Sequence, residues 1–229
     1  MTPNRQLTWD GCVNVRDLGG LTTGDGRQTR WGAVVRSDHP AKLTALGWAA
    51  LYAHGIRTVI TLATAGKAEA MPDTAPRPSD LTTRLAEIED LGDKEFLTEW
   101  AATGLWCTPL YYRYALQRWP ERHAAAIGEI ALARPGGVLV HCIGGRDRTG
   151  IIALLLLAFA GVSADDIAAD YDLSVDAERD EILAQAHTTS RAVILDTLAG
   201  LDAEAYLRSG GLSQAELTAL RARLIENGL

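Results

Sequence analysis

One segment restricts the possible folds more than any other. Val138-Leu139-Val140 reads as a short buried strand, and Ile151 to Val162 (IIALLLLAFAGV) as an apolar helix. Between them run His141-Cys142-Ile143-Gly144-Gly145-Arg146-Asp147-Arg148-Thr149-Gly150. A chain that enters a polar loop from a buried strand and leaves it in a buried helix belongs in a layered α/β architecture. The apolar run has twelve residues. A membrane span needs about 20, so the run is expected to be a core helix and no membrane span is expected.

The same loop is where chemistry is expected. Free backbone N–H groups converge at a helix N-terminus, and the helix dipole adds about half a positive charge, so an anion is favoured there. Gly144, Gly145 and Gly150 let the chain curl tightly. Cys142 stands at the mouth of this cradle, where the field favours a thiolate. Arg148 can offer a planar fork to two oxygens of an oxyanion. Thr149 can place a hydroxyl against the sulfur. This is equipment for phosphoryl transfer through a thiophosphate, with the amides of residues 143–148 holding the phosphate.

The plain alternative makes Cys142 a small buried hydrophobe and Arg148 a solvated charge. His, Cys, two glycines, Arg, Thr and Gly in one register favour catalysis over that alternative. Other motifs fail. Gly145 to Gly150 has the glycine frame of a nucleotide P-loop, but Ile151 and Ile152 stand where Lys and Ser/Thr are required. No Gly-x-Ser-x-Gly elbow is present. Adjacent His141 and Cys142 would point to opposite sides of a strand, so no zinc pair is expected.

Elsewhere, strands are expected at Ala33–Arg36, Thr58–Leu62 and Leu81–Ile88. Thr44 is expected to cap a helix reaching His54, with Leu46, Ala50 and Leu51 on its buried face. Helices are expected at Glu95–Ala102 and Pro120–Ala133. Ser163/Asp166 and Ser213/Glu216 have capping-box spacing, predicting helices at 164–172 and 214–226. The proline-rich stretch Ala65 to Asp80 reads as a loop, opening a mobile flap over about 65–110. The expected fold is α/β, a central, mostly parallel sheet flanked by helices with a helical C-terminal portion, as a single domain over 1–229.

Twenty-two basic side chains stand against 29 acidic ones, a net charge of −7, which argues against nucleic acid as partner. Cys12, Cys107 and Cys142 are too few and too scattered for a disulfide framework. A reducing cytoplasm is the expected compartment, and Met1 to Gly11 lacks the apolar core of a signal peptide. Cys12 and Cys107 are expected to be packing residues. Either would guard Cys142 as a disulfide only if the Cα atoms came within about 7 Å.

The loop HCIGGRDRTG resembles that of the Cys-x5-Arg protein tyrosine phosphatases, and most closely the Lys-Asp-Arg-Thr-Gly form of the bacterial tyrosine and lipid phosphatases related to PtpB. Asn14-Val15-Arg16-Asp17-Leu18-Gly19-Gly20 is similar to that family's N-terminal element, and Arg36-Ser37-Asp38 with Leu43-Thr44 to its next block. Gly161 to Ser174 and Tyr206 to Ile225 extend the likeness, which is weakest over 66–110. Two departures stand out. Arg146 occupies the position of the family's lysine, and Thr61-Leu62-Ala63 replaces a frequent Asp-Leu-Arg.

The resemblance implies a tyrosine-phosphatase-like fold, a cysteine nucleophile and no metal or cofactor. It also suggests Asp147 as proton donor to the leaving oxygen. Asp38 is the main rival donor, followed by Asp90 and Asp93. Arg16 and Asp17 are expected to brace the loop, and His141 to fix the Cys142 backbone and tune the thiolate. Arg146 is either a solvated charge or a contact to a second substrate anion. Tyr111, Tyr112, Tyr114 and Trp119 either wall an aryl pocket or pack between helices.

The expected activity is a phosphomonoesterase, a protein tyrosine phosphatase with possible dual or phosphoinositide specificity. Its partners would be a phosphorylated protein, lipid or small molecule. The alternatives are a metabolite phosphatase, a phosphate-recognition module without turnover, and a rhodanese-like sulfurtransferase, which the Arg148-Thr149-Gly150 ending disfavours.

Overall fold

In the computed structural model, residues 4–67 and 71–226 are described. The parts of the expected domain and flap at 1–3, 68–70 and 227–229 lie outside them. Among the described residues, one sheet holds β1 (Arg16–Asp17), β2 (Val34–Ser37), β3 (Ile56–Ala65), β4 (Thr82–Asp90) and β5 (Gly137–His141). Its order is β1-β2-β5-β3-β4, and only β1 runs antiparallel to its neighbour. The strands expected from composition are present. β1, only two residues long, carries too little pattern to be expected.

Alternation explains how the sheet is covered on both faces. Val34, Ile60, Leu62, Val138 and Val140 face the larger core. Val35, Val59 and Leu139 face the smaller one, with Trp48 and Leu51 of α1 (Ala45–Ala53). The larger core is built with α2 (Tyr112–Arg118), α3 (Pro120–Ala131), α4 (Asp147–Phe159) and α5 (Ala164–Asp172). It also takes in residues of α7 (Ser190–Leu198), α8 (Ala203–Ser209) and α9 (Gln214–Leu224), which follow α6 (Ala177–Gln185).

The caps work as read. Thr44 accepts from the Gly47 amide at 3.3 Å and Ser163 from the Asp166 amide at 3.1 Å. Ser213 and Glu216 form a complete capping box. Each such cap contributes about 1 kcal/mol.

Three expectations are corrected. Leu46 is 74% exposed. It stands five residues from Leu51, about 500° of helix rotation, hence about 140° from the buried face. Glu95–Ala102 forms a π-helical segment, Phe96–Ala101. The apolar helix begins at Asp147, inside the loop, so the loop's last residues are also the helix's first turn. α4 is buried nearly all round, and β5 is central in the sheet. Cys142 therefore emerges at the carboxyl edge of the sheet, where open α/β sheets place their ligands.

Burial also sets a pH response. His123 on α3 is fully buried, and desolvation pulls it down to about 3. Tyr206, itself pushed up by burial, meets His123 Nδ1 with its hydroxyl at 2.7 Å. His123 is thus neutral when folded but titrates at about 6.5 when unfolded. The unfolded chain binds the extra proton, so this stabilisation is complete above about pH 6.5 and is lost as pH falls toward 3. Glu89 and Asp147, raised by burial, act in the opposite sense, so the clean measurement is a difference. In urea unfolding from pH 7 to 5, the wild type should lose up to roughly 1.4 kcal/mol per pH unit relative to His123→Gln. A pH-independent difference would contradict the neutral, buried imidazole.

Candidate active site

The loop after β5 is held by its carbonyls. Asn14 Nδ2 donates to Gly144 O at 3.0 Å and Gly145 O at 3.1 Å. Arg36 Nη2 donates to Gly145 O at 3.0 Å and Arg146 O at 3.4 Å, and the His39 amide to Ile143 O at 3.1 Å. In a planar trans peptide the C=O and the following N–H point opposite ways. Pinning the carbonyls of residues 143–146 outward therefore turns the amides of 144–147 inward. Gly145 has φ +67°, and a Cβ there would lie 2.3 Å from Ser37 O, so only glycine fits. Gly150 admits the Tyr112 hydroxyl, which a Cβ would meet at 2.3 Å.

The pinning groups share one buried anchor. Asp170 of α5 meets Arg5 at 3.0 Å, Arg16 at 3.1 Å and Arg36 at 2.7 Å. Arg16 also donates to Asn14 Oδ1 at 2.6 Å and Ser174 Oγ at 2.8 Å. Burial works to raise the Asp170 carboxyl, but the arginines hold it down at about 2. Arg16 thus braces the loop at one remove, through Asn14 and Asp170. Asp17 does not share that task. Its carboxylate accepts from the Gly19 and Gly32 amides at 2.8 Å and contacts His54 at 2.8 Å, fastening the β1–β2 connection.

Cys142 is buried at 5% exposure and lines a pocket of about 210 Å³ with Arg148, Asp147, Glu89, Trp106 and Lys67. Gly144, Arg146 and Ile143 complete its loop side. Arg148 Nη1 donates to Leu62 O at 3.1 Å, and its Nε lies 3.8 Å from Glu89 Oε2. Glu89 accepts from Tyr111 at 2.6 Å and Thr64 at 2.7 Å. Burial pushes its carboxyl up and Arg148 opposes that. Glu89→Gln should cost about tenfold in kcat/KM through misplacement of Arg148. Vanadate inhibition should weaken in parallel; a lower Tm with unchanged vanadate inhibition would limit Glu89 to packing.

Asp147 opens α4 and lines the same pocket. Burial pushes its carboxyl up, against the pull of Arg179, 3.5 Å away, and of the Tyr171 hydroxyl, which donates at 3.1 Å. A carboxyl raised toward neutrality and lining the Cys142 pocket is suited to donate a proton. Asp38 is placed otherwise. It accepts from the Val13 and Asn14 amides, each at 3.2 Å, pairs with Lys42 at 3.1 Å, and does not line the pocket. Asp90 pairs with Arg122 at 2.6 Å, and Asp93 engages Arg118 and caps the π-helical segment.

His141 is neutral, pulled down to about 3 chiefly by burial. Its Nδ1 meets Cys142 O at 3.1 Å and its Nε2 meets Thr61 Oγ1 at 2.9 Å. Thr61, where the family often has Asp, thus supports the Cys142 backbone through His141. Thr149 Oγ1 is buried and has no hydrogen-bond partner, so the expected bond to the sulfur is not formed. The Thr149 side chain is enclosed in the first turn of α4, where a hydroxyl left unpaired costs about 1–3 kcal/mol. Arg146 lines the pocket and pairs with Asp176 at 2.6 Å, so it is not simply a solvated charge.

Tyr111, Tyr112 and Trp119 are buried and Tyr114 is half-buried, packed around Phe96 and Tyr171. The aromatic wall of the pocket is Trp106 instead. Cys107 is exposed and lines the pocket rather than packing, whereas burial and Asp38 push Cys12 up to about 12. Sequence reasoning missed Glu89, Asn14 as a loop brace, Asp170, Tyr171 and Arg179. Acidic Asp170 inside a capped helix was the available signal, because it falls on the buried face with Ile167 and Tyr171.

Comparison with known proteins places the chain in a family. A tyrosine-protein phosphatase of Nostoc commune is 28% identical over 225 residues, 86% of this chain and 75% of its own length. A protein of Cupriavidus necator, named for tyrosine-protein phosphatase activity, is 31% identical over 169 residues, 72% of this chain. The triple specificity protein phosphatase PtpB of Mycobacterium tuberculosis is 31% identical over 128 residues, 42% of this chain. The chain spans 61% of the length of the Cupriavidus protein and 46% of PtpB. Among the described residues, no helix is long and apolar enough to cross a membrane. The family model described as "Tyrosine phosphatase family" matches residues 7–226, nearly the entire length, and the chain belongs to that family.

Proposed function

We propose that the chain is a phosphomonoesterase acting through a cysteinyl-phosphate intermediate on phosphotyrosine-bearing protein. The outward pinning of the loop carbonyls by Asn14 and Arg36 around Cys142 carries this reading, because it supplies an amide cradle for phosphate. Cys142 Sγ attacks phosphorus, and the P–O bond to the leaving group breaks. Arg148 and the loop amides hold the equatorial oxygens, and Asp147 gives its proton to the leaving oxygen. Water then attacks phosphorus, Asp147 takes back a proton, and the S–P bond breaks. Thr149 would stabilise the departing thiolate only by turning its unpaired hydroxyl toward Sγ, a bond this structure does not contain.

Pocket size bears on the substrate. At about 210 Å³ it is below the 300–1,000 Å³ typical of whole-ligand sites. A phosphate and one ring enter against Trp106, and the rest of the substrate stays outside. Phosphoinositide turnover is a second reading, favoured by Arg146 at the pocket. The cytoplasm is the proposed compartment, consistent with three free cysteines.

The test is a screen of phosphotyrosine and phosphoserine peptides, phosphoinositides and sugar phosphates, in EDTA. Phosphotyrosine peptides should give the highest kcat/KM. Arg146→Ala should weaken turnover of polyphosphorylated substrates several-fold more than that of an aryl monophosphate. Equal losses would reduce Arg146 to its pairing with Asp176, and preference for sugar phosphates would replace the protein substrate.

A further inference from the structure

A second concave site lies at the opposite edge of the sheet. Gly137 begins β5 and lines this recess, while Cys142 follows the strand's other end. Five residue steps of strand separate them, about 17 Å. The recess has a volume of about 650 Å³ and is lined by Arg30, Trp31, His54, Ala222 and Arg223 among others. That size lies within the range of small-molecule sites.

Its electrostatics point to an anion. The protein carries a net charge of −7, yet neither Arg30 nor Arg223 has a carboxylate partner among the described residues. Arg30 Nη2 donates to Ala222 O at 3.2 Å and Ile225 O at 3.0 Å, at the end of α9. Arg223 donates to Gly136 O at 2.8 Å and to the carbonyls of Ala133 and Arg134, beyond the end of α3. These helix-end carbonyls fix the two forks and offset part of their charge, but neither fork meets a full negative charge. Arg223 Nε is buried without a partner, and burial lowers the readiness of this guanidinium to hold its charge. The Asp17 carboxylate does not line the recess; it is fully buried and turned to Gly19, Gly32 and His54. Trp31 and His54 add flat ring surfaces beside the two charges.

We propose that this recess binds a small organic anion with a flat apolar body, its acidic group taken by Arg30 and Arg223 and its body by Trp31. Helix-end stapling by the two arginines is the simpler role, and it requires no ligand.

Calorimetry with naphthalene-2-sulfonate on the intact protein, with vanadate holding the Cys142 loop, separates the two. Saturable one-to-one binding in the low-millimolar range or tighter is expected. Arg30→Gln and Arg223→Gln should each weaken it about tenfold, the loss of one charge-assisted contact. Because those variants also touch helix ends, Ala222→Trp is the decisive one. Ala222 is exposed and its side chain makes no bond, so Trp there fills the recess and should abolish binding in a folded protein. The proposal is overturned by no saturable binding, by undiminished binding in Ala222→Trp, or by equal binding of the neutral 2-naphthol. Because vanadate occupies the Cys142 loop throughout, each of these outcomes leaves the phosphatase reading intact.

Discussion

Cys142→Ser is expected to leave less than about 1% of aryl phosphate turnover while phosphate and vanadate still bind. Binding belongs to the cradle and turnover to the sulfur, and the substitution touches only the second. Asn14, Arg36 and the His39 amide hold the loop from outside, through carbonyls that serine at position 142 leaves in place. Arg148→Ala should lose both properties, because it removes the fork that Leu62 O and Glu89 aim into the pocket. Calorimetric titration with phosphate, beside a steady-state assay, checks the pair. Turnover well above that residue in Cys142→Ser would remove the cysteinyl intermediate. Loss of phosphate binding in Cys142→Ser, with circular dichroism unchanged, would mean that the sulfur itself maintains the cradle.

The candidate loop was legible because it is contiguous: the cysteine, arginine and glycines fall within His141 to Gly150, between a strand and a helix that pattern alone locates. What holds the loop was not. Asn14 meets Gly144 across 130 residues of chain, and Arg16 meets Asp170 across 154. Local periodicity carries no trace of such pairs. Helix spacing puts Asp170 on a buried face but says nothing of the three arginines that arrive at its carboxylate. Glu89 was hidden by register. The β3–β4 pairing shifts between Ala63 and Thr64, so that Thr64 falls opposite Glu89. A one-residue slip exchanges the faces of a strand, and no reading of alternation along Thr82–Asp90 alone could place Glu89 beside Arg148. Packing between helices was one of the two readings for the aromatic residues at 111–119, and it holds, but what they pack around was not legible. Their burial depends on Phe96, in a segment whose π-helical turn departs from the 3.6-residue period.

Asp147→Asn is expected to reduce kcat on tyrosyl and alkyl phosphates by roughly 10²-fold or more. A nitrophenolate leaves readily without a proton, so the loss on an activated aryl phosphate should be smaller. The environment supports the protonated form: burial raises the Asp147 carboxyl, and Arg179 and Tyr171 moderate that rise. Asn keeps the shape and the carbonyl that accepts from Tyr171, and the backbone carbonyl still accepts from Tyr112 at 2.7 Å. A folding defect is therefore a poor explanation for a large loss, and thermal unfolding would expose one. The deciding measurement is the dependence of kcat on leaving-group pKa, which should steepen in Asp147→Asn. Glu89 is the informative control, since it too is raised by burial and lines the pocket, but Tyr111, Thr64 and Arg148 surround its carboxylate. Glu89→Gln should lower kcat/KM without altering the slope. If the slope steepens in Glu89→Gln or Asp38→Asn and not in Asp147→Asn, the proton comes from that residue and Asp147 serves only to fasten the first turn of α4 to Tyr171 and Arg179.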